Sequence, residues 1–159
     1  MSLLRVMTFN VLHIEGPVEQ PKNPSEIWES RAELNVQTIR RYDPSMIAFQ
    51  EFAAPHWNTY RGRFREYSQL THNEKDEINF CAIFYKTGQF DPLYSGYFWL
   101  TRTPDRPDPD WGLPYALGVH WLILRWRETG NPLLFMNTQY EDGGDPEQYL
   151  MRAVLPHFM

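Results

Sequence analysis

The chain has 159 residues, of which 42% are hydrophobic and 16% aromatic, and its formal net charge is −5 at pH 7. This composition excludes a disordered polymer and is typical of one globular domain over residues 1–159, because a chain of this size hides about two-thirds of its unfolded surface on folding. The acidic balance excludes an overall positive field, so binding to nucleic acid would need a local basic groove.

The single cysteine and the short apolar runs are the features that predict the cellular compartment of the protein. Cys81 has no partner for an internal disulfide, which suits a reducing compartment, and its place in NFCAIFY indicates a core thiol. No secretory signal is visible, and the longest apolar run, LGVHWLIL, is far shorter than the ~20 residues that a membrane span needs. We therefore expect a cytoplasmic protein with no membrane partner.

The first third of the chain predicts a strand, a helix and a second strand. Residues 3–9 are predicted to form a short strand, and Asn23 and Pro24 then provide the residue types that begin a helix. Apolar residues recur at helical spacing on one face of that helix, at Trp28, Ala32, Val36 and Ile39. Asp43 and Pro44 end it, and the continuously apolar SMIAFQE is typical of a buried strand.

The next segment, FAAPHWNTYRGRFREY, has no clear period and leaves two interpretations open. Its arginines, Arg61, Arg63 and Arg65, alternate with aromatic residues and could bind nucleic acid by charge and stacking. The same pattern is also typical of a solvated surface with the aromatic side chains packed beneath it. The negative net charge favours the second interpretation.

The remainder predicts several strands and a closing helix. NFCAIFY, SGYFWLT, LGVHWLILRW and PLLFMNT read as strands, whereas RTPDRPDPDWGLP contains four prolines and predicts a long loop. Asp145 and Pro146 then begin a predicted helix towards Met159. The order of elements predicts an α/β or α+β domain with a mixed sheet.

Three of the predicted strands end in polar residues. The first ends in Asn10, the second in Gln50 and Glu51, and the last in the segment from Asn137 to Gln139. Amide and carboxylate oxygens are hard donors that suit Mg²⁺ or Mn²⁺ and are poor ligands for zinc. Taken singly, Asn10 can cap a turn and Glu51 can be a surface acid. Their common placement favours a metal site instead.

Five motifs occur along the chain in a recognisable order and spacing: TFNVL, Trp28 with Arg31, DPSMIAFQE, YFWLTRTPDRPDPDWG and FMNTQ. In these motifs the chain resembles the endonuclease/exonuclease/phosphatase superfamily of metal-dependent phosphoesterases. The resemblance implies the first half of a four-layered α/β/β/α sandwich, with two face-to-face sheets, mixed and mostly antiparallel, and helices outside.

The resemblance also implies an activity, Mg²⁺-dependent hydrolysis of a phosphate ester whose class stays open. Glu51 would be the carboxylate ligand of a catalytic Mg²⁺ or Mn²⁺, and Asn10 would lie beside it, in contact with the metal or the phosphate. Asn137 and Gln139 would occupy the positions of the family's Asn-Thr-His motif.

The sequence departs from the family in three ways. Gln139 replaces the motif's histidine and cannot carry a proton, and Leu117 stands where an arginine is common. No Gly-Asp-x-Asn or Ser-Asp-His segment of the family's second half occurs. A second hypothesis is therefore a truncated, catalytically inactive relative that acts as a binding or assembly module. Without the second half, we expect the first sheet to leave a broad apolar face that the missing half or a second copy would cover.

Overall fold

The computed structural model describes residues 3–12, 27–74, 77–110 and 115–139. Within these ranges the chain forms seven strands and two helices. In chain order they are β1 (Val6–Asn10), α1 (Trp28–Tyr42), β2 (Met46–Gln50), α2 (Ala54–Arg63), β3 (Tyr67–Glu74), β4 (Glu77–Lys86), β5 (Phe90–Trp99), β6 (Gly118–Trp126) and β7 (Pro132–Thr138).

The strands form two sheets. Sheet A has the order β1-β2-β4-β3 and is mixed, because β1 runs parallel to β2 while the other neighbours are antiparallel. Sheet B has the order β5-β6-β7 and is antiparallel throughout. The apolar segments predicted to be buried strands, β2 and β6, are both internal strands. The predicted α+β class with a mixed, mostly antiparallel sheet is confirmed.

Helix α1 shows the predicted apolar face, since Val36 and Ile39 are buried against sheet A. The helix ends at Asp43, which adopts a left-handed φ of 46° and donates its N–H to the carbonyl of Ile39 at 2.8 Å. Pro44 follows and cannot continue the helix. The predicted helix start at Asn23 and Pro24 lies outside the described residues, as does the predicted closing helix from Asp145.

The core has two layers, one on each face of sheet A. The layer between the helices and sheet A is aromatic, and Phe49, Tyr60 and Phe84 are fully buried in it. The layer between the sheets joins Met46 and Ile83 of sheet A to Leu122 and Leu124 of sheet B. On this face of sheet A, sheet B packs against β2 and β4. That the missing half or a second copy covers the remaining face stays a prediction.

The segment with the alternating arginines contains α2, which the sequence pattern does not predict. Tyr60, on the inner face of this helix, and Phe64, just after its end, are buried. Arg61 is exposed, and Arg63 forms an ion pair with Glu33 at 2.9 Å. The arrangement matches the solvated surface with aromatic residues packed below. The helices in the described part of the chain include none that is long and apolar enough to cross a membrane.

Gly118, the first residue of β6, lies against the side chain of Tyr97 on β5. A Cβ at this position would lie 1.7 Å from the Tyr97 hydroxyl, whose ring is held between Trp99 and His120 at centroid distances of 4.9 and 4.7 Å. We expect Gly118→Ala to lower the free energy of unfolding by about 1–3 kcal/mol, as is usual for overpacking. Urea unfolding measures this. Gly88→Ala is the matched control, since nothing lies within 4 Å of its added Cβ, and an equal loss in both variants would contradict the prediction.

Cys81 is a buried thiol on β4, as expected, and burial raises its pKa to about 12. Because the thiolate is the reactive form, almost none is present at pH 8. We expect the folded chain to react with the disulfide reagent DTNB only through unfolding, so that its rate follows global opening as denaturant is added. Rapid labelling in the absence of denaturant would show that Cys81 is accessible.

Candidate functional site

The site lies where three strands end at one edge of the two sheets. Strands β1 and β2 are parallel and pair Asn10 with Gln50, so both end at the same edge, and Glu51 follows immediately. Glu51 Oε1 accepts a hydrogen bond from Asn10 Nδ2 at 2.7 Å and another from Gln139 Nε2 at 3.1 Å. Three side chains far apart in the sequence therefore meet at one carboxylate oxygen.

The backbone is left-handed beside this carboxylate. Glu51 has a φ of 55°, and Leu12, two residues after Asn10, has the same value. A left-handed residue other than glycine costs about 1–2 kcal/mol, and such strain is concentrated at functional sites. The two strand ends are joined by the hydrogen bond from the Val11 N–H to the Gln50 carbonyl, at 3.1 Å.

The Asn10 amide is oriented by its own turn. Its Oδ1 accepts the Leu12 N–H at 2.8 Å, so its Nδ2 is the atom directed at Glu51. Asn10 therefore caps a turn, as its first interpretation states, and its NH₂ group faces the Glu51 carboxylate. That Asn10 is itself a metal ligand stays a prediction.

Asn137 joins the two sheets. It is 3% exposed, and its Nδ2 donates to the carbonyls of Phe49 at 2.7 Å and Ala82 at 2.9 Å. Its Oδ1 accepts from Gln50 Nε2 at 2.7 Å. These bonds direct the Asn137 amide into sheet A, where it fixes β7 and Gln50 beside the site. A direct catalytic role for Asn137 stays a prediction.

Comparisons with known proteins give the same architecture. No protein-family model matches the sequence, and no curated protein matches it. A solved endonuclease/exonuclease/phosphatase family protein from Bacteroides thetaiotaomicron is similar with a TM-score of 0.81 and 24% identity, over 97% of this chain and 56% of that chain. A second, from Bacteroides vulgatus, has a TM-score of 0.79 and 22% identity, over 97% of this chain and 58% of that one.

A third similar structure is the mannosyl-6-phosphatase of Bacteroides thetaiotaomicron, with a TM-score of 0.78 and 23% identity over 98% of this chain and 58% of that chain. The fold is that of the endonuclease/exonuclease/phosphatase proteins. The resemblance seen in the sequence motifs is thus confirmed for the fold, and the chain spans slightly more than half the length of these structures.

Within this endonuclease/exonuclease/phosphatase fold, the Trp28 and Arg31 motif acquires a physical role that the sequence did not reveal. Arg31 donates from Nη1 to the Val11 carbonyl at 2.7 Å and from Nη2 to the Leu12 carbonyl at 2.9 Å. Its guanidinium lies 5.6 Å from the centre of the Trp28 ring, and Trp28 Nε1 donates to Thr59 Oγ1 at 3.1 Å. The motif therefore holds the turn after β1.

The proline-rich loop leaves β5 at the same edge of the fold. The Leu100 N–H donates to the Leu117 carbonyl at 2.7 Å, and Thr138 Oγ1 donates to the Gly118 carbonyl at 2.9 Å, which ties the loop to the end of β7. Arg102 pairs with Asp110 at 2.9 Å, and Arg106 pairs with Asp108 at 3.3 Å. In this structure both arginines are engaged by acids of their own loop.

A separate cleft of about 600 Å³ runs along the open edge of β1. Arg5, Thr8 and Arg41 are among its lining residues, but Asn10, Glu51 and Gln139 are not. The strand-end site is the stronger candidate of the two, because two amide side chains contact a carboxylate there. The residues that line the cleft include no carboxylate and no side-chain amide.

The strand-end site offers a carboxylate, Glu51, whose Oε1 accepts hydrogen bonds from the amide groups of Asn10 and Gln139. In the described ranges no group of three or more His, Cys, Asp and Glu side chains converges as a metal cluster. A cation at Glu51 would therefore be held by one carboxylate together with neutral oxygen ligands and water, which suits Mg²⁺ because this ion keeps several waters. The described residues offer no thiolate or imidazole set of the kind that zinc prefers.

Proposed function

We propose that the chain takes part in Mg²⁺- or Mn²⁺-dependent hydrolysis of a phosphate ester, with Glu51 as the metal-binding carboxylate. The observation that carries this proposal is the convergence of Asn10 and Gln139 on Glu51 Oε1, at 2.7 and 3.1 Å. Support comes from the fold, which is shared with a mannosyl-6-phosphatase.

Each of the three residues has a distinct role in the proposed reaction. A bound cation supplies Lewis-acid charge for a phosphate oxygen and for the attacking water. Glu51 anchors that cation, and Asn10 fixes the carboxylate from the β1 side. Gln139 fixes it from the β7 side and can offer a hydrogen bond to a phosphate oxygen, but it has no proton to exchange at neutral pH.

The experiment is a hydrolysis assay of the 159-residue chain on bis-p-nitrophenyl phosphate, a diester, and on p-nitrophenyl phosphate, a monoester. We expect turnover that requires Mg²⁺ or Mn²⁺, stops with EDTA and returns when the metal is restored. Turnover that persists in EDTA would contradict a metal-dependent mechanism. The ratio of the two rates would define the class of ester.

A second candidate function is a catalytically inactive module that binds a metal or phosphate group or serves in assembly. The observation that favours it is Gln139, because general acid–base help worth about 10²–10⁴-fold is not available from an amide. Binding of Mn²⁺ at Glu51 in a folded chain without turnover on either ester would support this candidate over the hydrolase.

The absence of a proton-transferring group at Gln139 predicts how a substitution there changes the rate of hydrolysis. We expect Gln139→His to raise the metal-dependent rate by about 10²-fold or more, because imidazole can transfer a proton and amides cannot. The variant's pH–rate profile should also gain a titration near the ordinary histidine pKa of about 6.5. Gln139→Asn is the matched control, since it keeps an amide. Equal rates for the histidine and asparagine variants would show that proton transfer at this position does not limit the reaction.

A further inference from the structure

We propose that Arg31 is a positioning residue that sets the orientation of the Glu51 carboxylate through the backbone of Leu12 and the side chain of Asn10. The inference rests on the proposed function in one respect, that Glu51 holds a divalent cation. It adds a residue on another element, helix α1, to the control of that cation.

The route consists of successive hydrogen bonds. Arg31 Nη2 donates to the Leu12 carbonyl at 2.9 Å, and the N–H of the same residue donates to Asn10 Oδ1 at 2.8 Å. The other end of that amide, Nδ2, then donates to Glu51 Oε1 at 2.7 Å. Leu12 is thus held at both its carbonyl and its N–H, and its peptide groups connect the arginine to the amide.

Leu12, the residue between Arg31 and Asn10 in this series of hydrogen bonds, has a strained backbone, and the charged Arg31 guanidinium is a strong donor that can hold it in place. Leu12 has a φ of 55°, a conformation that a leucine rarely adopts unless its surroundings impose it. If Arg31 released the Leu12 carbonyl, the turn would relax and Asn10 Oδ1 would lose its fixed N–H donor. The amide could then rotate, and its NH₂ group would no longer be fixed on Glu51.

The shape of the guanidinium suits this task better than an ammonium group. Two of its nitrogens reach two consecutive carbonyls, Val11 at 2.7 Å and Leu12 at 2.9 Å, and its plane lies near the Trp28 ring. Arg31 Nε is buried and has no hydrogen-bond partner among the described residues, so the hold on the turn is made by the two terminal nitrogens. A lysine has the charge but not the rigid fork.

The test measures Mn²⁺ affinity by electron paramagnetic resonance for the wild-type chain, Arg31→Ala, Arg31→Lys, Asn10→Ala and the double variant Arg31→Ala/Asn10→Ala. Loss of an outer partner of a metal ligand typically weakens binding by about 10–100-fold, which we expect for Arg31→Ala, with Arg31→Lys in between. Because Arg31 acts through Asn10, the double variant should bind no more weakly than Asn10→Ala alone.

Arg40→Ala, at an exposed position on the same helix, is the matched control and should bind Mn²⁺ like the wild type. Thermal melts fix a temperature at which every variant is folded. A purely structural role for Arg31 would give effects that multiply with those of Asn10→Ala, and that result, or unchanged affinity in Arg31→Ala, would overturn the inference.

A readout that needs no metal separates this inference from the proposed function. In the metal-free chain, the two Asn10 side-chain amide protons report their hydrogen bonding to Glu51 by NMR. We expect Arg31→Ala to shift these signals and speed their exchange with water. If the wild type binds no Mn²⁺, the proposed function fails, but the role of Arg31 is still tested by this spectrum. Asn10 signals that are unchanged in Arg31→Ala would reject the inference.

Discussion

Glu51→Gln should remove metal-dependent hydrolysis while leaving the fold intact. Glutamine has the same shape and keeps an oxygen that can accept from Asn10 and Gln139, so the variant loses the charge but not the hydrogen bonds. Metal-ion catalysis is worth several kcal/mol, and each 1.36 kcal/mol is tenfold in rate, so we expect kcat/KM to fall by about 10³-fold. The assay on bis-p-nitrophenyl phosphate at saturating Mn²⁺ measures this fall.

Glu66→Gln is the matched control, because it neutralises an exposed carboxylate on the connection between α2 and β3. Its rate and metal dependence should equal those of the wild type. The account of the site would be contradicted if Glu51→Gln kept metal-dependent turnover close to the wild-type rate, or if both variants lost it to the same extent.

Asn137→Leu should cause the largest loss of stability at the site. The substitution keeps the branched shape and the number of heavy atoms of the side chain, but it leaves the buried carbonyls of Phe49 and Ala82 and the amide of Gln50 without the partner that Asn137 provides. An unsatisfied buried polar group costs about 1–3 kcal/mol, so the two carbonyls, offset in part by the apolar leucine, should lower the free energy of unfolding by about 2–4 kcal/mol, while Gln50 Nε2 keeps its bond to the Ala48 carbonyl at 3.3 Å.

Urea unfolding with linear extrapolation gives the free energy of unfolding, and Tm should fall by about 10 °C because a domain of this size loses about 2–4 °C per kcal/mol. Asn131→Ala, an exposed asparagine in the turn between β6 and β7, is the control. A loss below about 1 kcal/mol for Asn137→Leu would show that the bridge between the sheets contributes little beyond what water provides.

The elements that could be predicted from the sequence are those whose burial repeats with a simple period. Val36 and Ile39 recur at helical spacing because α1 buries one face, and β2 is continuously apolar because both faces of sheet A are covered. Helix α2 has no such period, and at its start the Ala53 N–H donates to His56 Nδ1 at 2.9 Å, a capping-box bond in which a histidine replaces the usual Glu or Gln. Strand β3 has a polar sequence because it lies at the edge of sheet A.

The sequence predicted that polar residues at strand ends would form the site, but it did not predict the contacts that hold them. Asn10, Glu51 and Gln139 stand at strand ends, and the parallel pairing of β1 with β2 makes the convergence of Asn10 and Glu51 a consequence of topology, whereas Gln139 is brought in by the packing of the two sheets. Arg31 acts on backbone carbonyls, and such contacts leave no trace in the types of the residues they join. The residues that pack between the two sheets, such as Met46 and Leu122, could not be assigned from the sequence, because contacts between sheets are long-range and have no local signal.

The most direct test of the central claim is a titration of the ¹⁵N-labelled chain with Mn²⁺, followed by NMR. A paramagnetic ion broadens the signals of the nuclei nearest to it, so ion binding at Glu51 should first remove the signals of residues 10–12, 50–51 and 139, and Glu51→Gln should preserve them at the same Mn²⁺ concentration. Broadening centred on other residues, or the same broadening in Glu51→Gln, would contradict the claim that this carboxylate holds the cation.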